Sequence, residues 1–479
     1  MHTARWSTLV ASSLMLAVTA FAQVDGPMPL AWRWYQPTST APSGSPMIEG
    51  DRVYVAVGSR MFALDRTTGN KLWQYPLIEP IDGHFRSSPI MIDGTLVASA
   101  DNRTVYGVNA TSGEGKWAYT APSTIIGQPV LAGKYVIINL NAESVMAINS
   151  EDGQPVWENP QRIFDGIKGN LAGQGSGLYF FTQRNELYRM NVSTKKSDRL
   201  VRFSNVSSDV TPVFGGDGLY VNSGSFVAAL NPSTGSSRWQ QNVRQDLILG
   251  PAVSVDGVTV VTRDGDLLLL DATGRQRTIK DGNKVIPMPA VQLGSMPIAP
   301  PTAVGKFVVV PTMNGAIQMI DTSTGELVWS YTIKPVTAGL KGANGQPIIS
   351  IPAAGPVVVS GNALYVLSRD GSLLSFDKEM GADLTGPTVK MGWPPPSSIV
   401  PGKGLELAFL IADEASGINE KSLKITVNGE PVVHEFGRDG VAVVRYTTGS
   451  KNRELGDGRA SIVVTVSDWL GNQTSQNFA

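Results

Sequence analysis

Ala63-Leu64-Asp65-Arg66-Thr67-Thr68-Gly69-Asn70-Lys71-Leu72-Trp73 is the phrase on which the architecture turns, because it does not occur once. The same frame returns with Asn109, Gly113 and Trp117, with Asn149, Gly153 and Trp157, with Asn231, Gly235 and Trp239, and with Asp321, Gly325 and Trp329. In all five the Trp stands eight residues after the Asp or Asn. Degenerate copies begin at Asn191, where Arg199 takes the Trp position, at Asp271, where Ile279 does, and at Asp377, where Gly381 follows without a Trp. That makes eight copies at a spacing of about forty residues, a period that belongs to repeat architectures.

Each copy is preceded by short alternating runs, such as Arg52-Val53-Tyr54-Val55-Ala56-Val57, a turn at Gly58-Ser59, and Arg60-Met61-Phe62-Ala63-Leu64. Alternation places successive side chains on opposite sides of a strand, so each unit packs against its neighbours. Asp264-Gly265, Asn314-Gly315 and Asp370-Gly371 fall between the second and third strands and predict tight hairpins, since both positions tolerate positive φ. The third strand ends at the Asp-x-x-x-Gly turn, and a fourth begins at the Trp. Four strands in forty residues, eight times over, predict an all-β chain forming an eight-bladed β-propeller. The last copy lacks a Trp strand, whereas Leu30-Ala31-Trp32-Arg33-Trp34-Tyr35 is a Trp strand without a blade. The expected closure therefore pairs the region of Trp32 with the blade of Leu364 to Phe376.

Arg5, the apolar run Leu9 to Ala22 and its Ala20-Phe21-Ala22 end have the form of a secretory signal, which assigns 1–22 to a cleaved leader and predicts a periplasmic or secreted protein. No later run is long enough to span a bilayer. The propeller is assigned to 23–383. From 384 to 479 the repeat is gone, and Pro394-Pro395-Pro396 leads into strands around Leu405–Ile411, Leu423–Val427, Val441–Tyr446 and Ala460–Val466, the pattern of a β-sandwich. A formal net charge of −1 gives no global attraction to nucleic acid.

The Ala-x-Asp-x-x-Thr-Gly-x-x-x-Trp phrase resembles the tryptophan-docking repeat of the quinoprotein (PQQ-type) dehydrogenases and of the BamB-like outer-membrane assembly lipoproteins, over about residues 28–383. The C-terminal segment is similar to bacterial immunoglobulin-like modules. The enzymes of that group imply a quinone and Ca²⁺ over an inward-facing Trp, commonly with a vicinal disulfide. This sequence has no cysteine, so it offers neither that disulfide, a covalently held haem nor a lipidated cysteine. The repeated tryptophans stand at equivalent outer-strand positions and are expected to pack between blades rather than converge on one cofactor.

Of three histidines, His84 and His434 lie in different domains and His2 in the leader, so no histidine metal cluster or nucleophile relay is legible. No catalytic residue and no bound cofactor are therefore expected. Asp413, Glu414, Asp468 and Asn472 are oxygen-bearing candidates for a Ca²⁺ site, with turn formation as the simpler reading. The links Asp281–Ala299 and Pro335–Ala354 are long, and Arg162, Asp165 and Lys168 share a third link on the same face. That face is the expected surface for an envelope or extracellular protein partner. The leading expectation is a non-catalytic scaffold; the alternatives are a PQQ/Ca-dependent dehydrogenase and a glycan- or polymer-binding protein.

Overall fold

Alternation along the strands does here what it predicts: odd and even residues of one strand serve two different seams. The computed structural model describes residues 24 and 26–479 except 208–209, 283, 338–345, 403, 438, 448–449 and 453–454, so the leader expected over 1–22 lies outside the described residues. Between Leu30 and Asp377 the described strands form eight four-stranded antiparallel sheets and one separate hairpin. Blade 1 contains Met47–Glu49, Arg52–Val57, Arg60–Asp65 and Lys71–Tyr75. Its Val53, Val55 and Leu64 pack with Tyr365 and Leu373 of the eighth blade, while its Tyr54, Ala56 and Met61 pack with Leu96 and Val108 of the second. Similar clusters fill every remaining seam, so the apolar core is distributed between sheets around a ring. Each Val or Leu buried this way contributes about 1.5–3 kcal/mol, repeated at every seam.

Seven sheets follow the chain from first to fourth strand, and the eighth does not. Its order is Leu30–Tyr35, Ser372–Asp377, Ala363–Leu367, Val358–Ser360, so the outer strand comes from the N-terminal end. Trp32 lies opposite Ser375, Arg33 opposite Leu374 and Trp34 opposite Leu373. The ladder is reinforced by the Arg33 guanidinium, which donates to Ser372 Oγ at 2.7 Å and to the Lys334 carbonyl at 2.8 Å.

Two local expectations are corrected. The Asp-Gly and Asn-Gly pairs do lie in tight hairpins, but only the Gly of each pair takes positive φ. Thr262 N–H donates to Asp266 O at 2.9 Å across a three-residue loop, and only Gly265 has positive φ, at 88°. Thr312/Ala316 and Ser368/Ser372 repeat that geometry at 2.9 and 2.8 Å. A right-handed turn followed by one left-handed glycine matches strand twist as well as the mirror-image turn does. In blade 6 the fourth strand is not at Ile279. Thr278–Asp281 and Lys284–Pro287 pair only with each other, and the outer strand of the sheet is Val291–Gln292. The expected 281–299 link is therefore largely a hairpin and a blade edge, while 338–345 of the other long link lies outside the described residues.

The C-terminal region forms two more four-stranded antiparallel sheets, led by Thr388–Trp393 with Glu406–Ala412 and by Ile418–Val427 with Ile462–Asp468. Phe409 and Val444 of one sheet and Ile425 and Val464 of the other share a single core, which makes the unit a sandwich. Among the described residues no helix is long and apolar enough to cross a membrane.

Candidate functional site

The docking turns decide what the tryptophans are free to do. Asp65 Oδ1 accepts the Thr67 and Thr68 amides at 3.0 and 2.8 Å, and the Gly69 amide closes on Asp65 O at 2.9 Å. The Thr68 amide and hydroxyl hold the Asp65 carboxyl below the usual carboxylate range. Asn109, Asn149, Asn231 and Asp321 build the same turn, with Gly113, Gly153, Gly235 and Gly325 closing it at 2.8 to 3.0 Å.

At four seams the preceding blade's Trp lies on the turn glycine, which is Gly69, Gly113, Gly153 or Gly274, and donates to the carbonyl after the Asp or Asn. Trp32 reaches Arg66 O at 3.0 Å, Trp73 reaches Ala110 O at 3.0 Å, Trp117 reaches Ser150 O at 2.9 Å and Trp239 reaches Ala272 O at 3.1 Å. A Cβ at Gly113 would stand 2.6 Å from Trp73 Cδ2, and one at Gly153 2.7 Å from Trp117, so the indole needs the bare backbone.

Three seams use other chemistry that the repeat did not announce. Lys195 holds the glycine position of the fourth copy at φ 57°, and its Nζ stands 5.1 Å from the Trp157 ring centroid. Gly235 faces Leu200, and Arg199 instead pairs with Glu186 at 3.0 Å. Gly325 faces Met288 Sδ at 3.3 Å, because the inserted hairpin delivers Met288 where a Trp is expected.

The link carrying Arg162, Asp165 and Lys168 is built onto two blades at once. Ile163 and Ile167 amides donate to Glu143 and Ala142 carbonyls of blade 3 at 2.9 and 2.6 Å. Asp165 pairs with Arg184 at 3.1 Å, and Lys168 Nζ donates to Asn185 Oδ1 at 2.8 Å, both on a hairpin of blade 4. Arg162 is exposed and is not drawn into this set. Sequence reasoning missed Phe164, which is 81% exposed with the Arg184 guanidinium 5.8 Å from its ring. Leu77 and Ile78, at 75% and 77% exposure, lie on an equivalent link between blades 1 and 2. One face of the ring thus offers apolar side chains on a rigid frame.

The oxygen-bearing set is only partly assembled. Asp413 and Asp468 meet Asp383, with one oxygen of each within 4.8 Å of the others, whereas the Glu414 side chain is exposed and outside the group. Glu414 belongs to the set only in sequence, its side chain lying in solvent. Asp413 Oδ1 accepts the amides of Ala415, Ser416 and Gly417 at 3.0, 2.9 and 2.8 Å. Ser416 Oγ donates to Asp383 Oδ2 at 2.6 Å, and Asn472 Nδ2 donates to Asp468 Oδ2 at 2.6 Å and to Asp383 O at 3.0 Å. These bonds are what a turn requires, and they occupy much of the acceptor capacity a cation would use. Burial, with the nearby Asp383 charge, holds the Asp413 carboxyl above its usual range despite the three amides. Separately, an apolar groove of about 690 Å³ opens at one end of the sandwich between Pro394, Ile399, Leu405, Leu455 and Arg459.

Residues 16–166 and 181–384 match the family model described as outer membrane protein assembly factor BamB. The assembly factors BamB of Yersinia pestis and Burkholderia pseudomallei are 20% and 24% identical, in each case over 70% of this chain and 84% of the relative. Among solved structures, BamB from Moraxella catarrhalis superposes with a TM-score of 0.51 at 16% identity, over 73% of this chain and 99% of that one. A europium-containing methanol dehydrogenase gives 0.51 at 13% identity, over 71% of this chain and 84% of the enzyme. At such identities the two structures speak to the fold, which scaffolds and enzymes share.

Proposed function

The chain belongs to the family of outer membrane protein assembly factor BamB, and from that premise we propose that it is an exported, non-catalytic scaffold that binds a protein partner in the cell envelope through the link face of its propeller. The observation that carries this reading is the Phe164–Arg184–Asp165 group. An exposed aromatic ring stands beside the Arg184 guanidinium, which is itself fixed by Asp165, on a loop pinned to two blades, so the backbone that presents the ring is set before any partner arrives. Preorganised aromatic and arginine pairs are the usual anchors of protein interfaces, because little side-chain freedom is lost on binding. The tryptophans support the same reading. Trp32, Trp73, Trp117 and Trp239 spend their indole N–H groups on neighbouring blades, which leaves them committed to packing.

The test places a photocrosslinking amino acid at position 164 of the exported chain and, as control, at Val255, which is 88% exposed on the opposite face. Adducts with an envelope protein are expected from 164 and not from 255. Equal adducts from both positions, or none from 164, would refute the proposed face. Quinone- and Ca²⁺-dependent dye reduction over a panel of alcohols and sugars would refute the non-catalytic role.

A further inference from the structure

The seventh blade departs from the docking rule in a way that involves the whole chain. Trp329 is fully buried, yet its Nε1 does not reach the turn of blade 8; it donates to Ser416 O of the sandwich at 3.0 Å. The turn 377–381 of blade 8 instead sets Gly381 against Pro29. The loop 413–417 takes three propeller donors on three consecutive carbonyls. Tyr331 Oη–H donates to Glu414 O at 2.9 Å, Leu30 N–H to Ala415 O at 2.7 Å, and Trp329 Nε1–H to Ser416 O. The three amides that follow in the loop are held by Asp413.

The sandwich reciprocates with Trp469, whose Nε1 donates to Ser330 O at 3.0 Å, and Lys334 Nζ of the propeller donates to Asp439 O at 2.9 Å. Trp329 and Tyr331 both pack on Phe376, the residue opposite Leu30 in the closing ladder. One loop of the sandwich therefore touches the last blade's neighbour and the closing strand together. A buried carbonyl left without its donor is costly, so neither partner can leave without exposing the other's unsatisfied groups.

We propose that the sandwich is the lock of the ring: residues 413–417 serve as the docking turn for Trp329, and closure by Leu30–Tyr35 and folding of the sandwich form one cooperative unit. This inference stands apart from the scaffold reading and survives its failure. Hydrogen exchange of the full-length chain tests it. Val464→Asp, deep in the sandwich core and away from the seam, unfolds the sandwich. Amides 32–35 and 372–376 are then expected to lose protection at least tenfold, while 135–149 of blade 3 hold theirs. Closing-strand protection that stays at the wild-type level while 462–466 exchange freely would overturn the proposal.

A milder pair covers the case in which that variant does not fold. Trp329→Phe removes one donor and is expected to lower protection in both 32–35 and 462–466. The matched change Trp239→Phe, at an ordinary seam, is expected to spare both. A Trp329→Phe effect confined to blade 7 would likewise overturn the lock.

Discussion

At the scale of single residues, the docking glycine and the half-buried Asp413 make opposite kinds of statement. Gly113 sits at φ 77° with Trp73 against it, so Gly113→Ala combines backbone strain of about 1 kcal/mol with a steric clash. We expect a total loss of about 2–4 kcal/mol in chemical unfolding, within the range of overpacking changes. The control Gly94→Ala, at a positive φ but with open space around it, is expected to show the strain alone.

Asp413 is held above its ordinary value by burial and by Asp383. A carboxyl raised in the folded state favours folding below its unfolded pKa and loses that contribution as pH rises through the folded value. Asp413→Asn keeps an oxygen for the three amides and removes the charge. It is expected to melt higher than wild type at pH 7, with the gap closing as the pH falls below the carboxylate range. A lower melting temperature at pH 7 would show that the charge is compensated where it stands.

Among elements, the inserted hairpin separates what the repeat specifies from what it tolerates. Its base is closed by Met288 N–H donating to Arg277 O at 2.7 Å, so the ends already meet. Replacing 278–287 by Gly-Gly is expected to shift the melting temperature by only a few degrees. Met288→Ala, which empties the docking slot against Gly325, is expected to cost about 2–5 kcal/mol.

The same element shows how far the sequence could be read. The recurring Asp, Gly and Trp announce the blades because each residue has a steric task that no other type performs equally well. The Trp32 strand was legible because one blade lacked what one terminus supplied. Ile279 misled because counting eight residues from Asp271 assumes that no chain is inserted, and an insertion changes the count without changing the turn. Glu414 was grouped with Asp413 by proximity in sequence, while Asp383, distant in sequence, completes the cluster through the fold. Asp413-Glu414-Ala415-Ser416-Gly417 carries the very Asp-x-x-x-Gly spacing of the blades, and that signal could have revealed the sandwich as Trp329's partner. Phe164 had no sequence signal, because exposure of a loop aromatic is a property of the surface around it.

For the whole molecule, charge bears on how the proposed partner would be met. The formal net charge is −1 and Asp165 and Arg184 of the link face neutralise each other, so the chain carries no large net charge to guide an encounter from a distance. Once a partner is identified by crosslinking at position 164, its association rate is expected to change by less than about threefold between low and high salt, measured by surface plasmon resonance. A steep salt dependence would place the contact on a different, charged surface.

The pairing of Arg33 with Ser372 spans 339 residues, and it has a temporal side. A polypeptide is made from its N-terminal end, so the strand Leu30–Tyr35 exists long before the strand it pairs with. At about 5–20 residues per second the delay is roughly 20–70 s. Throughout that interval blade 1 already offers Gly69 and Phe62 to the two indoles, but the backbone edge of Leu30–Tyr35 has no strand to pair with, and a product terminated before blade 8 keeps that edge open. Lengths short of blade 8 thus present an unpaired first strand, an edge open to pairing with another chain.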